Sequence, residues 1–314
     1  MKMKSNIRRT HSVLISVCMI FLATLLPGTE LNKGKVVEEV FPGLASGVLT
    51  RAALADLPEN ILFKSGNLEI TKTDIQSEIN KGPAQVKEEL KKNSFFILEQ
   101  IATQKILQKI AEERDQEKSA ASQKRGSQEM IRRYFDEVTS GTRVSQEEVD
   151  TFYNENKASF CGVSKDKVEE YIRKQKLQQK KQTVFEEHLK SLGRKFPIEV
   201  SATWTLEQLE ISRDNPVDKI RWNSKPTLVD FGGKSCCGPD KMLPIIQSIG
   251  KLFKGKMDAV YIEASEHQVL AARYGVTSIP AQIIFNKEGK EVYSHQGALS
   301  EGDLKKKLSD LGIF

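Results

Sequence analysis

VDFGGKSCCGPDKMLPII, residues 229–246, decides how this chain reads. TLVDF (227–231) has the look of a short buried strand, and a glycine-bearing turn with two cysteines follows it. KMLPIIQSIGKLF (241–253) is helical in its apolar spacing. Free amides and the macrodipole at a helix N-terminus stabilise anions, so a thiol placed there has a lowered pKa and becomes nucleophilic. That makes Cys236 and Cys237 the candidate catalytic residues. Asp230, at the end of the preceding strand, is expected to be buried where it can act on nearby protons. Downstream, MDAVYIEA (257–264) reads as a strand and HQVLAARYG (267–275) as a helix. AQIIF and EVYSH form a hairpin across Lys287-Glu288-Gly289, and Ser300 caps a last helix, EGDLKKKLSDL. Alternation of this kind predicts a central mixed sheet covered by helices on both faces. Ile279-Pro280 stands just before the hairpin. A cis bond at that X-Pro position would hold a backbone edge open for an extended partner.

Taken with AARYGVTSIPAQIIF (271–285) and GALS (297–300), the stretch resembles thioredoxin over roughly 100 C-terminal residues. In that family a Cys-Gly-Pro-Cys turn supplies a nucleophile and, three residues later, a resolving cysteine. The resemblance implies a thioredoxin fold, with Gly238, Pro239 and Asp240 completing the active-site turn and Ile279 and Pro280 forming the substrate edge. Two registers are open. A gapless match puts Cys236 at the nucleophile and Pro239 at the resolver; matching by motif letters puts Cys237 and Asp240 there. The gapless register is preferred, because the spacing from Pro244 to Tyr274-Gly275 also runs without a gap. Neither register has a cysteine at the third position. A bond between Cys236 and Cys237 themselves is strained, since adjacent Cα atoms are about 3.8 Å apart and disulfides want roughly 4.4–6.8 Å. A monothiol route, in which an external thiol reductant releases a mixed disulfide, is chemically easier. The alternative is a domain that has lost redox activity and keeps the fold for binding.

The 314 residues predict two or three domains. A composition of 39% hydrophobic and 29% charged residues fits a folding, soluble chain. The net charge of +6 is concentrated at one end: Lys2, Lys4, Arg8 and Arg9 stand in residues 1–28 with no acid. Removing these four from the 48 basic residues leaves 44 against 42 acids. That balance argues against a nucleic-acid binder. Val13 to Leu26 is a 14-residue apolar run, short of the about 20 needed to span a bilayer, so a polytopic membrane protein is excluded. After its basic start the run reads as a signal peptide or N-terminal anchor over residues 1–28, with a poor cleavage site at Leu26-Pro27-Gly28. Residues 29–59 read as a linker. Export predicts a periplasmic location or one on the outer face of the cytoplasmic membrane.

Besides Cys18 the chain has Cys161, Cys236 and Cys237, an odd count and no disulfide framework. Cys161, after SF at 159–160, reads as a free or buried thiol rather than a third redox partner. His188, His267 and His295 show no metal-ligand spacing and are expected in surface or packing roles. Two adjacent cysteines fall short of the about four ligands a zinc site wants, so neither metal nor cofactor is expected.

The middle of the chain is helical. Ser65-Gly66-Asn67 marks a short hairpin, and Thr71 or Thr73 caps the helix after it. FFILEQIATQKILQKIAEE (95–113) repeats its apolar residues Ile97, Ile101, Ile106, Leu107 and Ile110 near helical spacing. Ser145 and Glu148 form a capping box. A long helix over about 164–192 should turn Val168, Tyr171, Ile172, Val184, Phe185, Leu189 and Leu192 toward a core. It carries ten basic residues against five acids between Cys161 and Lys195, a solvated face or a patch for acidic lipid or client. PIEVSATW (197–204) reads as a strand closing the domain.

With NILFKSGNLEITKTDI (60–75), VSQEEVDTFYNENKASF (144–160) and KVEEYIRKQKLQQKKQTVFEEHLKSL (167–192), this region is similar to the N-terminal chaperone region of SurA-type peptidyl-prolyl isomerases. Only Cys161-Gly162-Val163 stands where such proteins often carry an isomerase domain. The resemblance implies a groove for unfolded or extended envelope proteins. The whole is expected to be an α+β multidomain protein. A helical chaperone-like domain at 60–203 precedes an α/β thioredoxin-like domain at 204–314. Its expected partners are unfolded or thiol-bearing client proteins.

Overall fold

The computed structural model describes residues 32–118, 126–233 and 242–313. Its N-terminal part departs at once from the expected tether. α1 (Val37–Val40), a tight turn at Val48–Arg51 and β1 (Ala53–Ala55) bring Val37, Leu44, Val48, Leu49 and Leu54 into the main core. Polarity holds them there. Glu99 is buried and its carboxylate accepts from Ser46 N, Ser46 Oγ, Gly47 N and Leu49 N at 2.7–3.2 Å. Buried amides need such partners, and here they come from a residue about fifty positions away.

β2 (Ile61–Ser65) and β3 (Leu68–Thr71) form the expected hairpin, with Gly66 at φ +60. Thr71 and Asp74 make a reciprocal capping box for α2 (Lys72–Lys81). α3 (Lys87–Lys92), α4 (Ser94–Lys118) and α5 (Ser127–Val138) follow, then α6 (Gln146–Glu155), which starts on the Ser145–Glu148 box. α7 (Lys165–Lys195) runs back along the domain to β4 (Glu199–Ser201). The first sheet has the order β1-β4-β2-β3, with β1 parallel to β4 and the other pairs antiparallel. Ile97, Ile106, Leu107 and Ile110 of α4 are buried in its core.

Two expectations for this part need correction. Tyr171 and Val184 of α7 are 59% and 41% exposed. The helix serves two separate clusters: Ile172 packs with Val149 and Tyr153 of α6, while Phe185, Leu189 and Leu192 join the main core. Residues between those faces point to solvent. The closing strand also ends at Ser201, not at Trp204. The Ser201 hydroxyl accepts from Trp204 N and starts α8 (Ala202–Ser212), whose Trp204 stacks on Phe95. The expected boundary at 204 therefore falls inside a helix that packs into the N-terminal core.

After α9 (Asp218–Arg221) the second sheet begins. Its elements are β5 (Thr227–Gly232), α10 (Met242–Leu252), β6 (Asp258–Glu263) and α11 (Gln268–Arg273). β7 (Ala281–Phe285), β8 (Glu291–Gln296) and α12 (Glu301–Asp310) complete it. The strand order is β6-β5-β7-β8, with β5 parallel to β6 and antiparallel to β7. β5 and β7 are buried along their whole length, because both faces are covered. Val229, Phe231, Ile283 and Phe285 pack with Leu270 of α11 on one face. Leu228 and Ile284 pack with Ile246 of α10 and Leu304 of α12 on the other. The protein is thus α+β and multidomain, a helical N-terminal region followed by a mixed-sheet domain. Among the described residues no helix is long and apolar enough to cross a membrane; the apolar run Val13 to Leu26 lies outside them.

Polar contacts join the two parts. Glu89 accepts from the Val269 and Leu270 amides at 3.1 and 2.9 Å, giving α11 a carboxylate at its N-terminus. Asp218 accepts from Arg221, Arg273 and Tyr274, and Arg221 Nη1 donates to the carbonyls of Pro42 and Gly289. Asn156 Oδ1 accepts from Ala298 N at 2.8 Å.

Candidate active site

The register of β5 on β7 pairs Asp230 with Gln282 and Phe231 with Ala281. β5, which precedes the two cysteines in the sequence, therefore ends beside Pro280. Ile279-Pro280 is cis, and the Pro280 carbonyl accepts from Gly297 N at 2.8 Å. Gly233 lies against the same dipeptide: a Cβ there would stand 2.9 Å from Ile279 Cδ1. Ile279 itself is 47% exposed, an apolar side chain at an open edge. Asp230 is fully buried, as expected, and accepts from Gln282 Nε2 at 2.6 Å. The structure thus brings Asp230, Ile279 and Pro280 to one end of the sheet. Cys236, Cys237, Gly238, Pro239 and Asp240 lie outside the described residues.

Several residues here escaped the sequence reading. Gln282 is buried opposite Asp230, with its Oε1 unpaired. Gln296 Oε1 accepts from the amides and hydroxyls of Thr277 and Ser278 at 2.7–3.3 Å, while its Nε2 donates to Gly275 O. One carboxamide so shapes the loop that enters the cis proline. The signal was thin: a glutamine next to Gly297. Asn156 is buried at the end of α6, where its Nδ2 donates to Phe152 O and its Oδ1 takes the Ala298 amide. It carries the helical region onto the backbone that borders Pro280.

Charge around this edge is uneven. His295, two residues before Gly297, has a buried Nε2 without a partner. Burial, then the Lys176 and Lys307 charges, push its pKa down to about 4. Tyr293 stacks on its ring at 6.4 Å. His188 packs against Tyr134, with its Nε2 2.6 Å from the hydroxyl.

Cys161 departs from expectation. It is exposed, not buried, and it is disulfide-bonded, not free. Its backbone is left-handed at φ +54, and Gly162 follows at φ +81. The turn is pinned on both sides: Phe160 stacks on Tyr153 at 5.4 Å, and the Tyr153 hydroxyl donates to Val163 O at 2.8 Å.

A mixed sheet of this order, with a cis-proline edge at the end of the strand that precedes Cys236 and Cys237 in the sequence, defines a thioredoxin-fold protein. The family model for thioredoxin matches residues 208–310. Thioredoxin of Porphyra purpurea is 34% identical over 88 residues, 28% of this chain and 80% of that protein. Thioredoxin of Chlorobaculum thiosulfatiphilum is 36% identical over 102 residues, 32% of this chain and 93% of that protein. Thioredoxin 1 of Nostoc sp. is 36% identical over 84 residues, 26% and 77% of the two chains. The chain belongs to the thioredoxin family, and this homology supports a thioredoxin-like redox function in general.

Proposed function

We propose that this protein is exported and exchanges thiols and disulfides of cell-envelope client proteins that its helical domain holds. The observation that carries this is the contact of Asn156 with Ala298, which seats the helical region at the cis-proline edge. A client bound by that region would lie next to the turn of Cys236 and Cys237. In this function Ile279 and Pro280 present backbone to an extended client, and Asp230 handles protons beneath the nucleophile. The thiolate attacks a client disulfide sulfur, and an outside thiol can release the adduct. The SurA-like sequence of the helical part supports a chaperone role, and the basic start with its apolar run supports a periplasmic or membrane-facing location.

A second function is favoured by one observation: neither Pro239 nor Asp240 is a cysteine, so the turn lacks its own resolver. The protein would then be a redox-inactive chaperone or assembly factor that binds through both domains. Trapping separates the two. In the full chain, Cys236→Ser should abolish disulfide-linked adducts with partner proteins, and Cys237→Ser should lengthen their life. Reversal of those phenotypes makes Cys237 the nucleophile. Unchanged trapping with both substitutions leaves the binding function.

A further inference from the structure

We propose that Gln282 is a positioning residue for Asp230: its carboxamide serves the carboxyl in both protonation states and sets the pH at which Asp230 takes up and releases a proton. The proposal rests on the proton role that the function above gives Asp230, and it names the group that makes this role workable. Asp230 lies on β5 and Gln282 on β7, strands that are buried along their length, and both residues are fully buried. They are paired in register, so their side chains leave the same face of the sheet. Gln282 Nε2 donates to Asp230 Oδ1 at 2.6 Å.

The next row on that face is apolar. Leu228 pairs with Ile284, and both pack with Ile246 of α10 and Leu304 of α12. An ionised carboxyl in such surroundings is costly unless it is hydrogen-bonded, and a neutral one still needs an acceptor for its O–H. An apolar side chain on β7 would supply neither. The carboxamide supplies both. Its N–H already meets the carboxyl, and its Oε1 is a buried acceptor with no partner among the described residues. A glutamine kept only to fill space has no reason to leave that oxygen without a hydrogen bond.

The change of state involves one proton, carried by the carboxyl alone. When Asp230 takes that proton, the amide turns about its last torsion, the N–H bond to the carboxylate is given up, and the new O–H donates to Gln282 Oε1. Release of the proton reverses the turn, and no proton leaves the amide. A hydrogen bond to an ionised carboxylate is the stronger of the two, so the pair favours the ionised form more than an apolar neighbour would. Other groups share this row. Tyr261 of β6 is the register partner of Asp230, and Glu263, two residues on, has its Oε1 by Gly233. His295 of β8 is the register partner of Gln282, with the Lys176 and Lys307 charges acting on it. It stands two strands from Asp230, roughly 10 Å across the sheet. From above, α10 turns only the apolar Met242, Ile246 and Ile249 into this layer. Gln282 is the neighbour that touches the carboxyl with both a donor and an acceptor to offer.

The test uses the full chain. In wild type the side-chain amide nitrogen of Gln282, followed by NMR, should titrate with the same midpoint as the carboxyl carbon of Asp230. A Gln282 signal that stays flat while Asp230 titrates overturns the proposal. Gln282→Met keeps the length of the side chain and removes donor and acceptor together. It should move the Asp230 midpoint up by about one pH unit. A move below about 0.3 unit, or a move downward, overturns the proposal and leaves the exchange function untouched. The rate at which reduced protein reacts with glutathione disulfide is then followed against pH. An inflection that moves up with the carboxyl supports both the Gln282 assignment and the proton role of Asp230. A carboxyl that moves while the rate profile stays in place keeps the Gln282 assignment and removes Asp230 from the chemistry of exchange.

Discussion

Arg273 and Asp218 meet at 2.6 Å with side chains 5% and 0% exposed, inside a network that crosses between the domains. Asp218 also receives Arg221, whose guanidinium reaches the carbonyl of Pro42 in the N-terminal segment. A second Arg273 bond goes to Asn93 of the helical region. The two parts are therefore locked by groups with no water to fall back on. Removing one partner of a buried pair leaves the other charges uncompensated, at a cost of roughly 3–5 kcal/mol. Asp218→Ala should lower the urea unfolding free energy by about that much. A loss below about 1 kcal/mol would mean the two arginines find other acceptors.

Acid should loosen the protein in two windows. The buried His295 has its pKa down at about 4, against an ordinary 6.5. His188 is lowered as well, by burial and then by Lys195 and Arg114. Unfolded chains bind these protons first, so stability should fall as pH drops from about 6.5 toward 4. Burial drives the Asp218 carboxyl up, but Arg273 and Arg221 outweigh it and hold it at about 2. Its contribution is complete above about pH 4 and is lost only as pH falls toward 2. Urea midpoints measured from pH 7 to 4 should slope downward in wild type and less steeply in His295→Gln. Equal slopes would remove His295 from the account.

Glu89 caps a helix that belongs to the other domain. Glu89→Ala should cost about 0.5–2 kcal/mol, the usual worth of an N-terminal cap. The distinguishing readout is hydrogen exchange at the Val269 and Leu270 amides, which should speed up while the strands of the second sheet stay protected. Unaltered exchange at those two amides would show that water replaces the carboxylate at no loss.

Gly193 allows α7 to touch the N-terminal segment. A Cβ there would stand 2.5 Å from the Val48 carbonyl oxygen, a backbone atom that cannot swing aside. Gly193→Ala should destabilise by about 1–3 kcal/mol, as other overpacked contacts do. Limited proteolysis should then cut first between residues 32 and 55. Cleavage first in the second domain would contradict this.

Much of the fold is legible because its signals are local. Ser145 with Glu148 announces its helix within four residues, Thr71 offers a cap to the helix after it, and Ser65-Gly66-Asn67 announces its hairpin. Alternation of strand and helix after Thr227 fixes the mixed sheet, and Ile279-Pro280 marks its cis edge. Segment 37–54 stayed hidden because its pieces are too short for periodicity and its polar anchor, Glu99, lies on a distant helix. Trp204 misled because PIEVSATW is apolar enough for a strand, while Ser201 caps a helix within it. The Asp218–Arg273 bond depends on which surfaces dock. No spacing in the sequence encodes that.

Because β4 lies between β1 and β2, the first sheet cannot close until residue 201 has been made. α8 adds Trp204 and Leu209 to the same core immediately afterwards. Domains generally fold as units, the N-terminal one first, during synthesis. The helical domain thus reaches its final form only when the chain has emerged past Ser212, and Cys236 and Cys237 come out a couple of dozen positions later. By then Phe160 is already stacked on Tyr153 at the end of α6. The region proposed to hold clients is therefore complete before the stretch that carries Cys236 and Cys237 has been made.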